Sequence, residues 1–111
     1  MSWVYLVIAI TMEVIGTTNM KLSHGFTKLV PSILMFVFYG LSFAFITLAL
    51  KKIDVSIAYA IWSGVGTALI AAIGFLYFKE PATAIKIGSI ALIVLGVIGL
   101  MLTDKHISPA T

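Results

Sequence analysis

Four long apolar runs divide this chain, and charged residues punctuate them. Residues 1–20 hold one charge, Glu13, while 29–50, 55–78 and 87–103 hold none. The three uncharged runs are 22, 24 and 17 residues long. A helix crosses the bilayer core in about 20 residues. No run carries a polar face wide enough for a soluble helix, and none alternates as a barrel strand does. The pattern predicts an all-α membrane protein, one domain of four transmembrane helices at about 3–20, 30–50, 55–78 and 85–103. Pro31 suits a helix start, where its missing N–H is harmless. Asp54 and Ser56 are candidate N-caps for the third helix. A tail at 104–111 remains, with 107–111 short and polar enough to be disordered.

Composition supports the same solvent. Hydrophobic residues make up 61% of the 111 and charged ones 10%, against about 25% charged in soluble domains. Beside four spans there is no room for a soluble catalytic domain, so an enzyme is not expected. The absence of cysteine excludes disulfides and thiolate metal sites. His24 and His106 stand in polar segments without ligand companions, so no metal site and no Ser-His-Asp arrangement is expected. The first run lacks a basic leader and carries Glu13 at mid-length, which argues against a cleaved signal peptide.

The lysines flank the spans, as headgroup anchors do, rather than forming a nucleic-acid patch. With four spans, one side of the membrane receives Lys51, Lys52 and Lys105, and the other Lys21, Lys28, Lys79 and Lys86. Three against four is almost no bias under the positive-inside rule. Insertion in both orientations is one reading, with two copies meeting antiparallel. The other is that a bias of one, or the lipid, suffices to set a single orientation.

Glu13 is the one charge predicted at bilayer depth. Placing an acidic side chain there costs about 2.5–3.5 kcal/mol on insertion scales, and no basic residue lies inside a run to pair with it. Low dielectric disfavours the ionised form of such a carboxyl, which suits a group that loads and releases protons. A protonated carboxyl acting only as interhelical glue is the structural alternative. One helical turn away are Ala9, Ile10, Gly16 and Thr17, with Leu6 two turns back. Their small members leave space for a ligand or for a neighbouring helix.

Aromatic faces attract organic cations. Tyr39 and Phe43 are four apart in the second run; Tyr59, Trp62 and Ser63 are three and four apart in the third. Trp62 lies too deep for an interfacial belt, whereas Trp3 and Tyr5 suit one. Gly64-Val65-Gly66 weakens the third helix and permits a hinge. Ser89 and Gly96 are seven apart in the fourth run, as in a helix–helix seam.

Glu13-Val14-Ile15-Gly16-Thr17-Thr18, Lys21-Leu22-Ser23 and Gly25-Phe26-Thr27 resemble the first helix and loop of the small multidrug resistance family. Ala58-Tyr59-Ala60-Ile61-Trp62-Ser63-Gly64-Val65-Gly66 resembles its third helix. The likeness covers nearly the whole chain and is loosest in the fourth helix. It implies an antiparallel, dual-topology homodimer in the bacterial inner membrane that exchanges protons for organic cations. The proton gradient would supply the energy, without a cofactor. By the same resemblance, Glu13 is the shared proton and substrate site, and Tyr39, Phe43, Tyr59 and Trp62 line it. Ser63 supports the glutamate, Gly64, Val65 and Gly66 form the hinge, and Ser89 and Gly96 lie at the dimer seam. Some relatives form heterodimers, so a paralogue is a second possible partner.

Subtype is also implied. Guanidinium exporters of the family carry tryptophan where this chain has Gly16, and Tyr39 and Ser63 match the multidrug branch. Lys79-Glu80-Pro81 resembles the guanidinium branch instead, and Lys86 and Ser89 depart from the usual multidrug fourth helix. Guanidinium, polyamines, choline or betaine are therefore alternative substrates, and a non-transporting membrane subunit is the alternative class.

Overall fold

A computed structural model describes residues 1–107, with side chains through residue 102. Four helices follow in order: α1 (Ser2–Leu22), α2 (Leu29–Ala49), α3 (Val55–Leu76) and α4 (Ala84–Ile107). Each contains a stretch long and apolar enough to cross a membrane. At 1.5 Å per residue, the 21 residues of α1 extend about 32 Å, roughly the thickness of the hydrocarbon core. The chain is a multi-pass, all-α membrane protein.

Lipid offers no hydrogen-bond partners, so the spans are helical and their polar side chains turn back on their own backbone. Thr11, Thr18, Thr47 and Thr67 donate to the carbonyls of Val7, Val14, Phe43 and Ser63, at 2.6–2.9 Å. Asn19 Nδ2 donates likewise to Ile15 O. These residues lie one turn back, so the helix needs no tertiary partner for them.

The first hairpin runs to Lys51 and the second starts at Lys52. In the first, α1 buries Leu6, Ala9, Ile10, Val14 and Gly16, and α2 buries Met35, Ser42 and Ala49. The α2 set recurs every seven residues, the spacing of a helix–helix seam. Ala9, Ser42 and Ala49 are 0% exposed, and small residues at such a seam let backbones approach. Tyr5 packs on Phe45, with ring centroids 6.0 Å apart.

Ser23 ends α1. Its hydroxyl donates to Met20 O and accepts from Phe26 N–H, and the side chain is 1% exposed. His24, Gly25 and Phe26 then take φ of 48°, 69° and 68°, three left-handed residues in succession. Only glycine adopts that region without strain. The Phe26 ring stacks on Phe36 of α2 at 6.2 Å, which ties the turn to the next helix.

In the second hairpin, α3 packs on α4 around Gly64. A Cβ on Gly64 would collide with Val97 Cγ2 and come within 3.2 Å of Ile93 Cγ2. The connection is folded against α3: Glu80 N–H donates to Gly74 O at 2.9 Å, and the Glu80 carboxylate covers the face of Gly74. Lys79 turns the chain at φ 60°. Lys86 Nζ lies 5.5 Å from the Phe75 ring centre, a cation–π distance.

Boundaries differ from the sequence expectation by one to four residues at every helix end but the start of α3. The third helix stops at Leu76 rather than 78, because Tyr77 and Phe78 both return their N–H groups to Ile73 O. Asp54 occupies the N-cap of α3 without a side-chain capping bond, and Ser56 is already helical. The unforeseen cap is Thr83, whose hydroxyl accepts from Lys86 N–H at 3.1 Å and starts α4. At the far end, α4 continues through 104–107, residues expected in the tail. The remainder of that tail, 108–111, lies outside the described residues.

Candidate functional site

Glu13 is the twelfth of the 21 residues of α1, so the helix carries its carboxylate to mid-span. The side chain is half-buried. Thr17, one turn on, donates its hydroxyl to Glu13 Oε1 at 2.7 Å. The same Thr17 oxygen lies 2.6 Å from the hydroxyl of Tyr39 on α2, and either can be the donor. Glu13, Thr17 and Tyr39 thus form one continuous hydrogen-bonded chain from α1 to α2.

Gly16 makes this possible. A Cβ at Gly16 would lie 2.6 Å from Tyr39 Cδ1 and 2.7 Å from Cε1. The ring occupies the space that any larger residue would need. Glycine there lets the phenol lie against α1 with its hydroxyl at Thr17.

Ser42 anchors the helices beside it. Its hydroxyl donates to Ala9 O at 2.8 Å and is buried. In an α-helix, the carbonyl of residue 9 is the one that accepts the N–H of residue 13. Ser42 therefore bonds the backbone level that supports Glu13. This residue was not anticipated. A lone serine in an apolar run gives no signal until its partner helix and register are known.

The other expected residues divide by exposure. Leu6, Ala9 and Ile10 are buried, and Thr17 is half-buried. Phe43 is 55% and Tyr59 61% exposed, so both offer ring faces outside their own hairpins. Phe43 remains near Tyr39, with centroids 6.3 Å apart. Tyr59 leans on Trp62 at 5.7 Å. The Trp62 indole N–H is buried without a hydrogen-bond partner among the described residues. Ser63 is exposed on α3, and within the first hairpin the hydroxyl that bonds Glu13 is that of Thr17. The α3 helix runs unbroken through Gly64, Val65 and Gly66. On α4, Ser89 and Gly96 are exposed, and Gly96 has open space where a Cβ would stand.

Chemically, the arrangement is an acid in a low-dielectric span, held by one hydroxyl, with aromatic faces exposed on both hairpins. No group of three His, Asp or Glu side chains suited to a metal occurs among the described residues.

Similarity to known proteins extends over nearly the whole chain. An uncharacterized membrane protein of Bacillus subtilis (strain 168), YvaE, is 56% identical over 104 residues, covering 94% of this chain and 87% of its own. The quaternary ammonium compound-resistance protein QacF of Klebsiella aerogenes is 45% identical, covering 94% of each chain. A guanidinium exporter of Escherichia coli (strain K12) is 41% identical, covering 93% of this chain and 98% of its own. Residues 1–93 match the family model described as Small Multidrug Resistance protein. This chain belongs to the small multidrug resistance family.

Proposed function

We propose that this protein is a proton-coupled antiporter that exports lipophilic or quaternary ammonium cations across the bacterial inner membrane. The observation that carries the reading is Glu13, a carboxylate at mid-span bonded by a neutral hydroxyl. Two chains pair antiparallel, and their two Glu13 carboxylates share one cavity. Protons and cation compete for the shared carboxylates. Protons bound from one side leave as substrate binds from the other. If both carboxylates are emptied in each cycle, two protons exchange for one cation.

Tyr39, Phe43, Tyr59 and Trp62 supply aromatic faces for the cation, each worth about 0.5–2 kcal/mol. Leu6, Ala9, Ile10, Gly16 and Thr17 complete the α1 wall, and Ser63 on α3 has the supporting role that the resemblance implies. Gly64, Val65 and Gly66 give α3 its hinge, and Ser89 and Gly96 seat the dimer. The gradient supplies the energy, so the protein needs no cofactor and catalyses no covalent reaction.

Guanidinium export is the second reading, favoured by the Lys79-Glu80-Pro81 connection and by the guanidinium exporter relative. Gly16 weighs against it, since the Tyr39 ring fills the place where that branch is expected to carry tryptophan. Uptake into proteoliposomes under a pH gradient separates the two. Tetraphenylphosphonium and a quaternary ammonium should enter quickly, with guanidinium, choline and spermidine slow. Fast guanidinium with no lipophilic uptake would select the second reading. No uptake of any cation would indicate a non-transporting subunit.

A further inference from the structure

Thr17 has one hydroxyl hydrogen and two neighbours that compete for it. Toward Glu13 the contact is 2.7 Å, and toward Tyr39 it is 2.6 Å. Both are ordinary lengths for hydroxyl hydrogen bonds, and the single Thr17 hydrogen can serve only one of them at a time.

When Glu13 is ionised it can only accept. Thr17 must then donate to it, and the Thr17 oxygen accepts from the Tyr39 hydroxyl. All hydrogens point toward the carboxylate. When Glu13 is protonated it becomes a donor. It keeps an acceptor oxygen, but its new O–H can donate to Thr17; Thr17 then donates to the Tyr39 oxygen, and the phenol hydrogen is released to point elsewhere. Only the proton arriving at Glu13 is new; the other two hydrogens rotate about their C–O bonds.

We infer that Thr17 and Tyr39 form a reversible relay that reports the protonation state of Glu13 at the phenol of Tyr39. Thr17 is then a positioning residue, and Tyr39 acts on Glu13 through it. With Glu13 ionised, the phenol hydrogen is committed to the protein. With Glu13 protonated, it is free to meet another acceptor. The relay gives the site two distinct hydrogen-bonding surfaces for its two proton loads.

Few other groups can interfere within this hairpin. The α2 helix, packed against α1, carries no charged side chain, and its one titratable group is Tyr39. On α1 the remaining titratable groups are Tyr5 and Lys21, each two turns from Glu13. Gly16 is part of the device because it seats the Tyr39 ring at bonding distance.

The inference rests on the transport reading for its purpose but not for its test. The test is a titration of the Glu13 carboxyl in the full chain, in phospholipid bicelles without substrate or gradient. Carbon-13 labelling of glutamate gives two signals, Glu13 and Glu80, since the chain has no other glutamate. Removing the donor in Thr17→Val should move the Glu13 midpoint up by about one pH unit, the shift expected for one charge-assisted hydrogen bond. Thr17→Ser should restore it. Tyr39→Phe should move it the same way by less. The double variant should match Thr17→Val alone, because Tyr39 acts only through the hydroxyl that is missing. Additive shifts, or no shift in Thr17→Val, would overturn the relay. Failure of proton-coupled uptake with these titrations intact would overturn the transport reading and leave the relay standing.

Discussion

Gly16 and Tyr39 are a matched pair at the scale of single residues. The phenol lies where a side chain at position 16 would be. Gly16→Ala should therefore destabilise the first hairpin by about 1–3 kcal/mol, the usual consequence of overpacking. Combining it with Tyr39→Ala should recover most of that loss. Reversible unfolding in mixed micelles measures both, and an unchanged stability of Gly16→Ala would contradict the packing. Glu13 and its α1 neighbours were legible in sequence, because a charge inside an apolar run is conspicuous and helical spacing names its face. Ser42 and the Thr17–Tyr39 bond were not, because both depend on the register between two helices. Periodicity within one run says which face is used, not which partner residue lies opposite.

For the elements, the four apolar runs became four helices, and the errors were all at their ends. Lipid forces each run to satisfy its own backbone, so existence and type follow from length and hydropathy. The ends depend on capping groups such as Thr83 and on folded turns such as 77–80, which a hydropathy pattern does not resolve. Gly64 was expected as a hinge; the structure adds a packing role, since Val97 and Ile93 of α4 occupy its open face. Gly64→Ala should loosen the α3–α4 hairpin by about 1–3 kcal/mol. Adding Val97→Ala should restore stability by removing the colliding methyl. If unfolding of the double variant showed no recovery, packing at Gly64 would not be the reason for the loss. Recovered stability with transport still lost would point to the hinge.

Across the whole molecule, the lysine distribution carries the argument. Four lysines face three across the membrane under the four-span layout, a balance that admits the dual-topology reading under the positive-inside rule. Accessibility labelling of the 23–28 turn in intact cells should detect it on both sides of the membrane. Introducing His24→Lys and Ala82→Lys raises the four to six against three and should hold that side in the cytoplasm. A single orientation in the unaltered protein would remove the antiparallel pairing from the mechanism. The alternation of charge and apolar run made the spans and this balance readable. The proposed pairing of two copies leaves no mark in the apolar runs themselves, because a surface that received a second copy would have the same apolar composition as one that faces lipid.

The central claim is that the Glu13 carboxyl exchanges protons for an organic cation. Its most direct test measures both fluxes together in proteoliposomes, tetraphenylphosphonium inward and protons outward, for the unaltered protein and for Glu13→Gln. Glutamine keeps the size of the side chain and a hydrogen-bond acceptor for Thr17, but it cannot load a proton. The unaltered protein should move protons with substrate in a constant ratio, and Glu13→Gln should insert and fold yet couple neither flux. Proton-driven uptake by Glu13→Gln at an undiminished rate would contradict the account.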